Sequence, residues 1–113
     1  MPQIPGFEEF RRDINERILR ADNRAIKRFF VLDADVYREG HLSARTKELM
    51  GLVASMVLRC DDCITYHLIQ CHREGVTSDE LFEAFSVALT VGGSIVIPHL
   101  RRAVAVLEEL SQQ

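Results

Sequence analysis

The chain has 113 residues, 47% of them hydrophobic, and a formal net charge of −3. That is the size of one ordinary domain with enough apolar material for a core, and it carries no basic footprint for nucleic acid. The longest apolar run, residues 50–58, is interrupted by Ser55 and is far too short to cross a bilayer.

The chain starts Met1-Pro2-Gln3-Ile4-Pro5-Gly6, without the charged start and apolar stretch of a signal peptide. The expectation is a soluble cytoplasmic protein with no membrane partner. In such a compartment three cysteines point to reduced, catalytic or metal-bound thiols rather than to a structural disulfide framework. No repeat or Pro/Gly-rich linker divides the chain, so one domain over residues 1–113 is expected. A chain this short buries a smaller share of its surface than a larger one, which favours a subunit of an oligomer.

Phe7, Phe10, Ile14, Ile18 and Ala21 fall at spacings of three and four, one apolar stripe of a helix. Asp22-Asn23 can end it, and Asn23 can cap a second helix through Tyr37; a single long helix is the alternative. Gly40-His41 marks a turn, and Ser43 is an N-cap for a third helix to about Leu58. That helix is apolar almost all round, as in a helix buried in a bundle. The next segment, from about Asp61 to Glu74, carries the cysteines, and Gly75 suits a left-handed stop. Thr77 and Glu80 form a capping box ahead of Leu81, Phe82, Phe85, Ala88 and Leu89. Gly92-Gly93 breaks the chain, Ser94 restarts it, and Pro98 belongs in a first turn. The last helix presents Leu100, Val104, Leu107 and Leu110. No segment alternates with period two, so the fold class is all-α, a bundle of five to six helices.

At about 100° per residue, Cys60, Cys63, His67 and Cys71 share one narrow helical stripe. Cys63 and His67 are four apart and can touch. A neutral imidazole there can accept the thiol proton and leave a thiolate, the reactive nucleophile. Cys60 and Cys63 have the spacing for a reversible disulfide near a helix start, where the dipole favours a thiolate. Zinc is disfavoured, because one straight helix cannot wrap a tetrahedral ion and further ligands would have to come from His41, His72 or His99. Inert burial of the two thiols is the other alternative. Cys71 lies about 16 Å along the axis from Cys60, and buried packing is its expected role. His72 and Tyr66 fall off the stripe; His41 and His99 have no evident partner.

Leu42, Lys47-Glu48-Leu49, Cys60-Asp-Asp-Cys63-Ile-Thr-Tyr-His67, Gly75, Glu80 and Gly92-Gly93 together resemble the carboxymuconolactone decarboxylase family, and within it the alkylhydroperoxidase D (AhpD-like) branch. The resemblance covers about residues 33–108. Its most specific part is a Glu twelve positions before the first Cys, then Cys-x-x-Cys-x-x-x-His, matched by Glu48, Cys60, Cys63 and His67. The resemblance implies that the two Cys are a redox pair and that the Glu and His belong to a proton relay. It also implies an all-α fold and homo-oligomers, trimers or hexamers. Without it, Glu48 reads as a solvated residue paired with Arg45.

The chain departs from the branch at Asp62, where a His commonly precedes the second Cys. Two carboxylates, Asp61 and Asp62, oppose thiolate formation and raise thiol pKa values, although either would serve as a helix cap. The expected function is a thiol-dependent antioxidant oxidoreductase, a thiol peroxidase or disulfide reductase, needing no cofactor or metal. Its partners would be a hydroperoxide or disulfide substrate and a thiol reductant protein or small dithiol. The helix dipole favours Cys60 as the attacking thiol; proximity to His67 favours Cys63, and so does the resemblance. The alternatives are a lyase acting on a small lactone, as in the family's namesake, and a non-catalytic oligomeric binding protein.

Overall fold

A computed structural model describes residues 2–112, and every regular element among them is helical. The helices are α1 (Ile4–Arg20), α2 (Arg24–Val36), α3 (Ala44–Leu58), α4 (Asp61–Arg73), α5 (Ser78–Gly92) and α6 (Ile97–Ser111), with a short 3-10 turn, Ser94–Val96, leading into α6. They fall into two compact units, one ending at Arg38 and the other beginning at Glu39.

The first unit holds α1 and α2 as separate helices. Asp22 adopts a left-handed conformation, and the Asn23 side chain accepts the Ile26 N–H at 3.0 Å. That cap is what makes two helices of the run. The predicted α1 stripe is not a core: Phe7, Ile14 and Ile18 are half-buried and Phe10 is 65% exposed. Helix α2 has no buried residue, and Phe29, Val31 and Leu32 lie open.

The second unit is a four-helix core. Ser43 caps α3 through the Thr46 N–H. Both arms of the Thr77/Glu80 capping box form at the start of α5. Helix α4 packs against α3 and α6, and α5 packs against α3. Leu52 and Met56 of α3, Ile64 and Leu68 of α4, Leu81 and Phe85 of α5, and Val106 and Leu110 of α6 are sealed from solvent. Each such side chain contributes on the order of 1.5–3 kcal/mol from burial. At Gly92 an added Cβ would come within 2.5 Å of the Val96 side chain, so this close turn requires glycine.

One predicted face is rotated and another is only partly covered. The core stripe of α6 is Ala103, Val106, Leu107 and Leu110, with Leu100 and Val104 only half-buried; the small Ala103 lets a neighbouring helix approach where a leucine would hold it off. Helix α3 is buried on one side only. Its other apolar side leaves Met50 and Leu58 exposed and lines a groove of about 860 Å³ shared with Ala84, Val87 and Val91 of α5.

The junction between α3 and α4 positions the site. Arg59 alone separates α3 from the cap of α4, and it is left-handed, with φ 61°. The Cys60 N–H reaches back to the Ser55 carbonyl at 3.0 Å, closing α3 with the wide loop of a Schellman-type end. Cys60 is then the N-cap of α4, its Sγ accepting the Cys63 N–H at 3.3 Å.

Candidate active site

Capping by Cys60 corrects the expectation that Asp61 or Asp62 caps α4. The two aspartates occupy the first helical turn instead, where their charge suits the positive end of the dipole. The sulfurs of Cys60 and Cys63 lie against each other, with Cα atoms 5.3 Å apart, a separation a disulfide can span. Cys60 is half-buried and Cys63 exposed, so Cys63 is the more open of the two residues.

One turn further along α4, His67 is buried. Its Nδ1 stands 3.4 Å from Glu48 Oε1 on α3, with both side chains at least nine-tenths buried. That separation is an ion-pair distance, longer than a formed hydrogen bond. Glu48 Oε2 is buried without a hydrogen-bond partner among the described residues. A buried carboxylate oxygen lacking a donor is costly. Tyr66 packs edge-on against the His67 ring at 5.3 Å.

Arg45 does not pair with Glu48. Its guanidinium forks onto both oxygens of Glu80 on α5. That pair, with Thr77 donating its N–H and hydroxyl, holds the Glu80 carboxyl down to about 2. The solvated reading of Glu48 therefore fails, because its local partner is committed elsewhere and it lies buried against His67.

Cys71 is a free, fully buried thiol. Burial pushes it up to about 12, with the charge of Glu48 adding to the effect. It is a packing residue, as its distance from Cys60 along the helix predicts. His72 and His41 are exposed.

His99 corrects the expectation of no partner. Its Nδ1 lies 2.7 Å from Asp61 Oδ1, and Arg102 donates to Asp61 Oδ2 at 2.8 Å. Helix α6 thus engages both oxygens of the residue next to Cys60. Nothing in the local sequence marks this contact, since His99 and Arg102 lie 38 and 41 positions from Asp61. Among the described residues no group of three or more His, Cys, Asp and Glu could hold a metal ion, and no helix is long and apolar enough to cross a membrane.

The model of the carboxymuconolactone decarboxylase family matches residues 25–109. A curated relative, uncharacterized protein 4 in the cox locus of Paracoccus denitrificans, is 34% identical over 82 residues, 73% of this chain and 74% of that protein. Among solved structures, TM1620 from Thermotoga maritima is 62% identical and superposes with a TM-score of 0.92, covering 95% of this chain and 94% of that one. A second crystal structure of TM1620, TM-score 0.91, is described as a carboxymuconolactone decarboxylase family protein for which involvement in an antioxidative response has been suggested. Apo-lpg0406 from Legionella pneumophila, a protein of the same family, shares the fold at TM-score 0.80 and 24% identity, covering 94% of this chain and 97% of that one.

Proposed function

The chain belongs to the carboxymuconolactone decarboxylase family, and on that premise we propose that it is a thiol-dependent antioxidant oxidoreductase of the alkylhydroperoxidase type. Cys60 and Cys63 are its redox pair, and Glu48 and His67 its proton relay. The observation that carries this reading is the Cys60–Cys63 pair at the open end of α4 with a buried Glu48–His67 pair one turn below.

In the reduced protein, His67 takes the Cys63 proton. The thiolate attacks the terminal oxygen of a hydroperoxide; the S–O bond forms, the O–O bond breaks, and an alcohol leaves with that proton. The Cys63 sulfenic acid is then attacked by the Cys60 sulfur, giving the disulfide and water. A dithiol, protein or small molecule, returns two electrons and two protons. Glu48 stabilises the imidazolium formed in the first step and fixes the ring. Exposure of Cys63 supports it as the attacking thiol.

The test is to reduce the protein, treat it with tert-butyl hydroperoxide, and map disulfides by mass while following peroxide consumption with dithiothreitol. One Cys60–Cys63 bond per chain should form and reverse, and consumption should vanish in Cys60→Ser and in Cys63→Ser. Consumption that survives the double substitution overturns the reading. Asp62→His, which replaces a like charge beside the thiols with a proton carrier, should raise the rate several-fold; an unchanged rate would show that Asp62 does not tune the site.

We also propose that the protein works as a homo-oligomer, a trimer or hexamer. The support is the number of large apolar side chains left open in both units, from Phe10, Phe29 and Leu32 to Met50, Leu58 and Val91. Sedimentation equilibrium measures it; a monomer at micromolar concentration refutes it.

A further inference from the structure

Asp61 carries a negative charge at the position next to Cys60, inside the turn whose sulfur caps α4. Such a charge opposes formation of a thiolate on either cysteine. Its two oxygens are both engaged from α6, Oδ1 by His99 Nδ1 at 2.7 Å and Oδ2 by Arg102 at 2.8 Å. Asp61 is 42% and Arg102 62% exposed, whereas the His99 side chain is only 17% exposed. This is a directed three-residue contact across two helices, unlike an ordinary surface ion pair, which orders little. Asp62 next to it has no such counter-charge among the hydrogen bonds and ion pairs described above.

We propose that His99 and Arg102 are positioning residues for the thiol pair: Arg102 counters the charge of the Asp61 carboxylate, and His99 engages its other oxygen and helps hold it turned toward α6, so that Cys60 and Cys63 can ionise beside it. The proposal deepens the redox reading of this site and rests on it for its meaning, but its test does not depend on peroxide chemistry. Charged or titratable groups around this end of α4 include Arg59 at the junction, Asp61, Asp62, Tyr66 and His67 on α4, Glu48 from α3, and His99 and Arg102 from α6. Within that set Asp61 is the carboxylate met by an arginine from another helix.

The experiment measures alkylation of the fully reduced protein by iodoacetamide at pH 7, resolved by mass at Cys60 and Cys63, since the rate follows the thiolate fraction. Arg102→Gln should slow alkylation by about threefold, the size expected of one partly screened charge a few ångströms away. Arg102→Lys should keep the wild-type rate. Asp61→Asn in the Arg102→Gln background should restore it, because the charge that needed cancelling is gone. His99→Gln should slow it less than Arg102→Gln and be rescued in the same way.

A purely structural strap predicts the opposite ordering, with the double variant as slow as Arg102→Gln or slower; that result overturns the proposal, as does an unaltered rate in Arg102→Gln. Disulfide formation with tert-butyl hydroperoxide is scored on the same samples. Charge-dependent alkylation without any disulfide would uphold this inference while defeating the redox reading.

Discussion

Two carboxylate–imidazole pairs meet α4, one from each helix packed against it, and they are built differently. On the α3 side, Glu48 and His67 are buried and stand 3.4 Å apart, and one Glu48 oxygen has no hydrogen-bond partner among the described residues. On the α6 side, Asp61 and His99 are 2.7 Å apart, and Arg102 occupies the other carboxylate oxygen. Tight contacts with every oxygen engaged are how a fold uses charge to hold elements in place. A buried carboxylate left short of donors weakens the fold, which sets the α3-side pair apart from the α6-side one. The contrast suits the roles proposed above, the looser pair as proton relay and the tighter pair as its mount.

The sharpest way to break this contrast is to neutralise the inner pair. Glu48→Gln and His67→Gln should each lower peroxide turnover by about 10²-fold or more, the usual worth of a positioned acid or base. The double variant should be little worse than either single one, because the two act as a unit. Full activity in Glu48→Gln, measured in steady state with dithiothreitol, would reduce that pair to packing. Changes on the α6 side should stay within several-fold in the same assay.

A third charged pair supplies the control. Arg45 and Glu80 join α3 to α5, and neither touches Cys60 or Cys63 in the contacts described. Glu80 titrates at about 2 instead of 4.5. Its folded-state value is depressed, so its contribution to stability is complete above about pH 4.5 and is lost as the pH falls toward 2. Urea unfolding between pH 5 and 2.5 should show a flatter pH dependence in Glu80→Gln, with turnover at pH 7 unchanged. A loss of turnover there would mean that the charge distinctions between these pairs are not as local as drawn.

The smallest effect is expected at Cys71. Its thiol, held near 12 by burial, should resist alkylation in the native protein at pH 8 and react only on unfolding. Cys71→Ala should leave turnover intact and cost about 1 kcal/mol in urea unfolding, as the loss of one small buried group does. Rapid native-state alkylation of three thiols rather than two would place a second reactive centre on α4.

What could be read in advance follows the range of the interactions. The helix ends were legible because caps are local: Asn23, Ser43 and the Thr77/Glu80 box all bond within three residues. That Glu48 lies near His67 was foreshadowed only by the family spacing. Local charge pairing put Arg45 beside it, and a partner 35 residues away took the guanidinium instead. The Asp61 contact with His99 and Arg102 was not legible at all, since it exists only because α4 and α6 pack together. The capping aspartate lost to Cys60 because the sharp α3–α4 junction brings the cysteine, not its neighbour, to the last non-helical position. The open apolar surfaces of α1 and α2 show the remaining limit, as periodicity finds an apolar stripe without saying whether this chain covers it.

The single left-handed residue at Arg59 leaves α3 and α4 no slack. Adding or removing one residue there would turn α4 by about 100° relative to α3. That would swing His67 off Glu48 and Asp61 off α6 at once, while each helix kept its own sequence intact. Length is therefore tolerated very unevenly along this chain. The turn over residues 39–42 can absorb an insertion as an ordinary exposed loop does, whereas the distance from Glu48 to Cys60 is a ruler that cannot change by one division without dismantling the site.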